Sequence, residues 1–234
     1  MKVDKKIKSK KFNWKFDKIV TKNFDSHVSN SVPFYKISHD MVIKLSDFFL
    51  KENSRMYDLG SSTGVLLNKI EKKNKSKKLK LIGFDNSKPM VQQARKKNKN
   101  KNISFNHLDL KKIKLKSCDM ITSLYTVQFI EPKYRQKLFN EIYNSLNWGG
   151  AFVIFEKIRG NDARFQDILT FLYFDFKSEK GLKADEILNK EISLRSVMEP
   201  FTIQANVDYL KRAGFKDIMP ICQYLCFKGF LAIK

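Results

Sequence analysis

Between residues 55 and 155, short apolar runs of strand length alternate with segments whose apolar residues recur at helical spacing, and no other feature limits the fold as much. The pattern predicts strands over 55–59, 79–84, 103–107, 119–124 and 151–155, the last entered from a turn at Gly149-Gly150. It predicts helices over 65–71, 89–97 and 133–146, with a further helical run over 33–50 ahead of the first strand. Strands separated by helices imply right-handed crossovers and a mostly parallel sheet covered on both faces, a doubly wound α/β architecture.

The period then changes. Residues 162–198 read as helical throughout, and a further helix over 203–213 stops at Gly214, glycine being the usual residue just past a helix end. Two strand-like runs, 216–219 and 224–233, close the chain. The stretch Met219-Pro220-Ile221-Cys222-Gln223 between them is too short for a helical crossover, so the last two strands must pair as a hairpin with the final one antiparallel. The expectation is one domain over 33–234 with a helical insertion at 162–198, preceded by a partly ordered arm over 1–32. A chain of 234 residues with 42% hydrophobic content is long enough to bury a core of its own.

The formal net charge of +22 points first to a polyanion such as RNA. The lysines are spread along the whole chain, however, beside abundant Asn and Ile, as in AT-rich coding sequence. The basic runs 69–80 and 95–101 fall between strand-like segments and read as solvated helix ends and loops, which weighs against a dedicated nucleic-acid surface. The three cysteines, Cys118, Cys222 and Cys226, cannot build a disulfide framework. Cys222 and Cys226 are spaced to share one strand face as packing thiols, and with scattered histidines no metal site is expected. The chain has no apolar run of about 18 residues, the length of a membrane span, and its lysine-rich start lacks the apolar segment of a secretory signal. A reducing cytoplasm is the expected compartment.

Three successive strand ends carry the residues with chemistry to offer. The first strand turns into a helix through Tyr57-Asp58-Leu59-Gly60-Ser61-Ser62-Thr63-Gly64, where glycines permit positive φ and close approach to a ligand. Ser62 stands where a middle glycine is usual, and a plain tight turn is the rival reading of the segment taken alone. The second strand ends in Asp85-Asn86-Ser87, where a carboxylate can take both hydroxyls of a ribose, while Asn86 or Ser87 can cap the next helix. The third runs into Asp109-Leu110, an acidic side chain with adjacent backbone suited to an adenine amino group. Ligands of open parallel sheets bind outside the carboxyl ends of the strands, where these loops converge. With a final antiparallel strand, the pattern is that of the methyltransferase-type seven-stranded sheet, and S-adenosylmethionine is the expected cofactor.

From about Phe16 onward the chain resembles the carboxy-S-adenosyl-L-methionine synthases. The resemblance rests on Phe16-Asp17, Ser31-Val32-Pro33 with Tyr35, Tyr57-Asp58-Leu59-Gly60 and Asp85-Asn86-Ser87. It continues with Gln128-Phe129-Ile130-Glu131-Pro132, Gly149-Gly150, Glu156-Lys157, Asp175-Phe176-Lys177, Val197-Met198 and Ala213-Gly214-Phe215. It implies a transferase that binds S-adenosylmethionine, or its carboxylated derivative, and carboxylates the methyl carbon at the expense of prephenate. The product would serve a partner enzyme that modifies the tRNA wobble uridine. It also implies cofactor contacts at Tyr35, Gly60, Asp85, Asn86 and Asp109 with the Leu110 backbone, and a homodimer formed through the 162–198 helices.

Two positions depart from the family pattern. Glu191 stands where the family has an arginine that holds the new carboxylate, and Leu124 replaces an asparagine after the fourth strand. Arg195, one helical turn beyond Glu191, is expected to take over the arginine's role. Two rival readings stay open: a methyltransferase acting on an unidentified acceptor, and a cofactor-binding subunit associated with RNA.

Overall fold

In a computed structural model, which describes residues 1–4 and 6–234, the alternation resolves into a twisted sheet in the order β3-β2-β1-β4-β5-β8-β7. The parallel strands are β1 (Arg55–Leu59), β2 (Lys80–Asp85), β3 (Ile103–His107), β4 (Cys118–Leu124) and β5 (Leu146–Arg159). The strand β8 (Phe227–Ile233) lies antiparallel to both β5 and the edge strand β7 (Asp217–Tyr224). A two-residue strand, β6 (Phe201–Thr202), pairs with the far end of β5, off the main path.

Side chains alternate between the faces of a strand, and each face of this sheet has its own core. On one face Met56, Ala151, Val153 and Phe155 pack with α2 (Tyr35–Phe49), α3 (Val65–Lys73) and α4 (Lys88–Lys97) through Val42, Leu67, Ile70 and Val91. On the other, Tyr57, Leu59, Phe152 and Ile154 pack with α5 (Pro132–Ser145) and α8 (Ile203–Ala213) through Phe139, Ile142 and Leu210. Fully burying one such side chain contributes about 1.5–3 kcal/mol, so both helical layers are held by the sheet rather than by their own propensity.

Several boundaries differ from the sequence expectation. Gly149-Gly150 is not a turn ahead of the fifth strand but part of β5, which starts at Leu146 and pairs irregularly with β4 between Cys118 and Met120. Gly149 has φ of +76° there, and its N–H donates to the Lys234 carbonyl at 2.7 Å. The last hairpin turns at Leu225-Cys226, and Met219–Gln223 lies inside β7. Pro220 is tolerated because β7 is an edge strand, with a register shift between Pro220 and Cys222. Cys222 and Cys226 therefore do not share one strand face: Cys222 lies half-buried on β7, Cys226 buried in the turn. The 162–198 stretch is two helices, α6 (Ala163–Glu179) and α7 (Ala184–Leu194), separated at Gly181, whose φ of +80° ends the first.

The N-terminal residues carry α1 (Lys18–Ser31), capped by Asp17, whose carboxylate accepts from the Ile19 and Val20 N–H groups at 2.9 Å each. Val3, Ile7 and Trp14 are buried with Val20, Met90 of α4 and Leu194 of α7 in a third, smaller core. That core seats α1 and α7 across the carboxyl ends of the strands, over the region where β1, β2 and β3 end.

Candidate active site

The loops after β1, β2 and β3 open into a cleft that Asp58, Gly60, Ser61, Ser62, Asp85, Asn86, Asp109 and Leu110 all line, with Tyr35 from the start of α2. Gly60 has φ of +82°, and a Cβ there would stand 2.1 Å from Thr126 Oγ1. Its N–H and that of Ser61 both donate to the Phe84 carbonyl, at 2.8 and 2.9 Å, fixing the loop against β2. Gly64, expected beside the ligand, caps the start of α3 with φ of +79° and packs against Phe105, outside the cleft lining. Ser62, in place of the usual glycine, also takes a left-handed conformation, φ +52°, at a cost of about 1–2 kcal/mol. The return is a hydrogen bond: Ser62 N–H donates to Asp85 Oδ2 at 2.9 Å.

Asp85 accepts from the Ser87 N–H at its other oxygen, 2.8 Å away. Each carboxylate oxygen therefore keeps a lone pair for a further donor, the arrangement that suits two vicinal hydroxyls. Ser87 also caps α4 through the Met90 N–H, so the capping and carboxylate roles of this segment coexist. Burial raises Asp85 from its ordinary value, while the two backbone donors pull the other way. Asp58 is 3% exposed and accepts from Thr122 Oγ1 at 2.8 Å. Burial pushes its carboxyl up to about 7, and neighbouring Asp85 adds to the rise. Asp109 accepts from the Lys111 N–H at 3.0 Å, and Leu110 beside it is buried. Asn86 is exposed, and its carbonyl accepts from His107 Nε2 at 3.1 Å.

These residues fit S-adenosylmethionine. Two acidic groups, one almost sealed from water, favour a cation beside them, and the cofactor brings an ammonium and a sulfonium. The hydroxyls of Ser61 and Ser62, which line the cleft, are buried with no hydrogen-bond partner among the described residues, a cost that a polar ligand in the cleft removes. Among the described residues, no group of three or more His, Cys, Asp or Glu side chains is arranged to hold a metal.

The opposite wall comes from β5, α6, α7 and the N-terminal residues. Lys157, Lys177, Lys190 and Glu191 line it, beside Trp14, Phe16 and His27. Lys177 is 2% exposed and donates to Glu191 Oε1 at 2.8 Å, and Lys157 Nζ lies 4.0 Å from the same oxygen. Although burial works against it, Lys157 and Lys177 hold Glu191 below its ordinary value. Burial lowers Lys177 from its ordinary value, with Glu191 partly offsetting. Glu191 is thus turned inward and neutralised. Arg195, expected to stand in for the family arginine, does not reach the cleft. Helix α7 ends at Leu194, the chain enters a turn in which Ser196 has φ of +62°, and Arg195 is exposed outside the lining.

Beneath both walls lies a scaffold that sequence reasoning did not anticipate. Glu156, buried on β5, accepts from the N–H groups of Thr126, Val127 and Gln128 at 3.1, 2.8 and 2.8 Å. Gln128 Oε1 in turn accepts from the Lys157 N–H at 2.8 Å, and Arg135 donates to the carbonyls of Ile130 and Glu199 at 2.7 Å each. These bonds are what the Gln-Phe-Ile-Glu-Pro and Glu-Lys segments build. Thr122, the partner of Asp58, was also missed, since a threonine in an apolar strand carries no signal of its own. The Asp-Phe-Lys segment was the only visible trace of Lys177.

A family model described as a methyltransferase domain matches residues 56–150. The carboxy-S-adenosyl-L-methionine synthase of Staphylococcus epidermidis is 40% identical over 95% of this chain and 98% of its own length. The proteins of the same name from Nautilia profundicola and Campylobacter jejuni are 37% and 36% identical, covering 94% and 97% of the chain and 94% and 96% of their own. Among solved structures, Haemonchus contortus phosphoethanolamine N-methyltransferase 2 with S-adenosyl-L-methionine superposes with a TM-score of 0.67 at 16% identity. That match covers 94% of this chain and 57% of the other. Human N-acetylserotonin methyltransferase in complex with the same cofactor gives 0.65 at 17% identity, over 93% and 55%. At that identity the two structures speak for the fold.

Proposed function

The chain belongs to the carboxy-S-adenosyl-L-methionine synthase family, and from that premise we propose that it converts S-adenosylmethionine and prephenate to carboxy-S-adenosylmethionine, phenylpyruvate and water. It is an S-adenosylmethionine-dependent transferase. The observation that carries the finer reading is the pairing of an acidic wall with a lysine-rich one across a single cleft.

In this reading Asp85 takes the ribose hydroxyls, Asp109 and the Leu110 backbone face the adenine, and Asp58 faces the ammonium of the methionine portion. Gly60, Ser61 and Ser62 form the cradle, with Asn86 at its rim. Bound S-adenosylmethionine supplies a methyl carbon whose protons are acidified by the adjacent sulfonium. Tyr35 and Tyr125, ring centroids 6.1 Å apart, border the same cleft. Burial raises both phenols above their ordinary value, so both stay neutral hydrogen-bond donors.

The product would feed a partner enzyme acting on the tRNA wobble uridine, in the cytoplasm. No helix among the described residues is long and apolar enough to cross a membrane. A homodimer is part of the proposal: α6 exposes Phe165, Ile168, Phe171 and Leu172, and α7 exposes Leu188, an apolar surface that a second copy would cover.

Mass spectrometry of the small molecules formed from S-adenosylmethionine, with and without prephenate, tests the reading. A carboxylated cofactor should appear only with prephenate. S-adenosylhomocysteine formed with a methyl acceptor instead, or no product at all, would overturn it.

A further inference from the structure

The four charged groups on the far wall do not balance. Lys157, Lys177 and Lys190 present three amines to the cleft, and Glu191 is the one carboxylate among them. Every other carboxyl lining the cleft, Asp58, Asp85, Asp109 and Glu131, comes from a loop or strand end of the opposite side. The lysines are also fixed. The ammonium groups of Lys157 and Lys177 lie 4.6 and 4.0 Å from the centre of the Tyr173 ring, and Tyr173 is anchored by its hydroxyl to the Ser31 carbonyl at 2.6 Å. Lys190 lies over the ring of Trp14, which stacks on His27. Burial, with Lys177 adding to it, lowers the Lys190 amine well below its ordinary value, against the opposing pull of Glu191 and Asp4. Glu191 already shows how the wall holds a carboxylate: one oxygen takes Lys177 at 2.8 Å with Lys157 at 4.0 Å.

We propose that Lys157, Lys177 and Lys190 form a receptor for a ligand carboxylate, and that Glu191 is its built-in counter-ion, holding the lysines in place when the ligand carboxylate is absent. The proposal rests on the family reaction above. It assigns to three lysines from β5, α6 and α7 the work that an arginine at position 191 does in the family. It also explains how a glutamate there is tolerated: Glu191 consumes one positive charge and leaves the others for substrate. Two carboxylates could occupy the receptor, the one newly formed on the cofactor or one belonging to prephenate, and both have the same chemistry.

Isothermal calorimetry on the full chain separates them. Titrations with S-adenosylmethionine, carboxy-S-adenosylmethionine and prephenate would be run on the unmodified protein, on Glu191→Gln and on Lys177→Met/Glu191→Gln, which removes the buried ion pair as a unit. S-adenosylmethionine affinity reports folding and the acidic wall, and should stay within about twofold in all three. If the receptor holds the new carboxylate, the unmodified protein binds the carboxylated cofactor at least about tenfold tighter than S-adenosylmethionine. Glu191→Gln then widens that ratio, and the double variant brings it to near one. If it holds prephenate, the same pattern appears in prephenate affinity instead. Ratios and prephenate affinity that are the same in all three proteins would overturn the proposal. Prephenate-dependent product from the unmodified protein alongside such flat binding would sink the receptor and leave the family reaction standing; no product would sink the reaction itself.

Discussion

The two walls of the cleft place their charges by different means. On the strand-end wall, backbone geometry does the placing. Asp85 is held by the N–H groups of Ser62 and Ser87, and Gly60 and Ser61 are tied to the Phe84 carbonyl, all within turns that adjoin parallel strands. On the far wall, side chains hold side chains across long sequence distances: Lys177 on Glu191, both lysines on Tyr173, Lys190 on Trp14. A backbone-built wall carries over wherever the fold does. A side-chain-built wall can be rewired one residue at a time, and Glu191, where the family resemblance implies an arginine, would be such a rewiring. The comparison predicts that damage to one wall leaves the other working.

The largest effect should come from beneath both walls. Glu156→Ala strands three N–H donors, two of them buried, in the loop that follows β4. A loss of about 3–5 kcal/mol in urea denaturation is expected; a loss below about 1 kcal/mol would mean the loop holds itself and the walls are independent of this carboxylate.

Asp85→Ala should weaken S-adenosylmethionine binding at least about tenfold, since each charge-assisted hydrogen bond it makes is worth about 1.5–3 kcal/mol. Unchanged affinity by calorimetry would remove Asp85 from the site.

The smallest effect is a pH dependence. The Asp58 carboxyl is raised to about 7 by burial, then by Asp85, so it gains charge across neutral pH. Its ionised form suits the cofactor's ammonium, and affinity should rise severalfold from about pH 6 to 8 and level off above. Asp58→Asn should flatten that step; a step persisting in the variant would assign it to another group. Stability runs the opposite way. The folded value lies above the unfolded one of about 3.9, so the contribution of Asp58 is fully present below that and is lost as pH rises through about 7. Glu156, also raised to about 7 by burial, acts in the same sense, so ligand affinity isolates Asp58 better than denaturation does.

The difference between the walls also explains what the amino-acid sequence disclosed. Period-two and period-3.6 patterns are local, and they located the strands, most helices and the acidic residues at strand ends, because in a parallel sheet the strand end is the site. The hairpin turn at Leu225-Cys226 was missed because apolar residues continue through it, whereas the break at Gly181 carried a signal that went unread, the polar run Ser178-Glu179-Lys180 ahead of a glycine. Arg195 was misplaced because helical spacing from Glu191 presumes that α7 continues, whereas it ends at Leu194. The lysine cluster lay hidden for a different reason. In a chain with a net charge of +22, three more lysines stand out only when three elements bring them together.

The most direct test follows the carbon. Incubating the protein with S-adenosylmethionine and prephenate labelled with ¹³C in its ring carboxylate should give carboxy-S-adenosylmethionine carrying the label. An unlabelled product, or S-adenosylhomocysteine with the label left in prephenate or released to solution, would contradict the account.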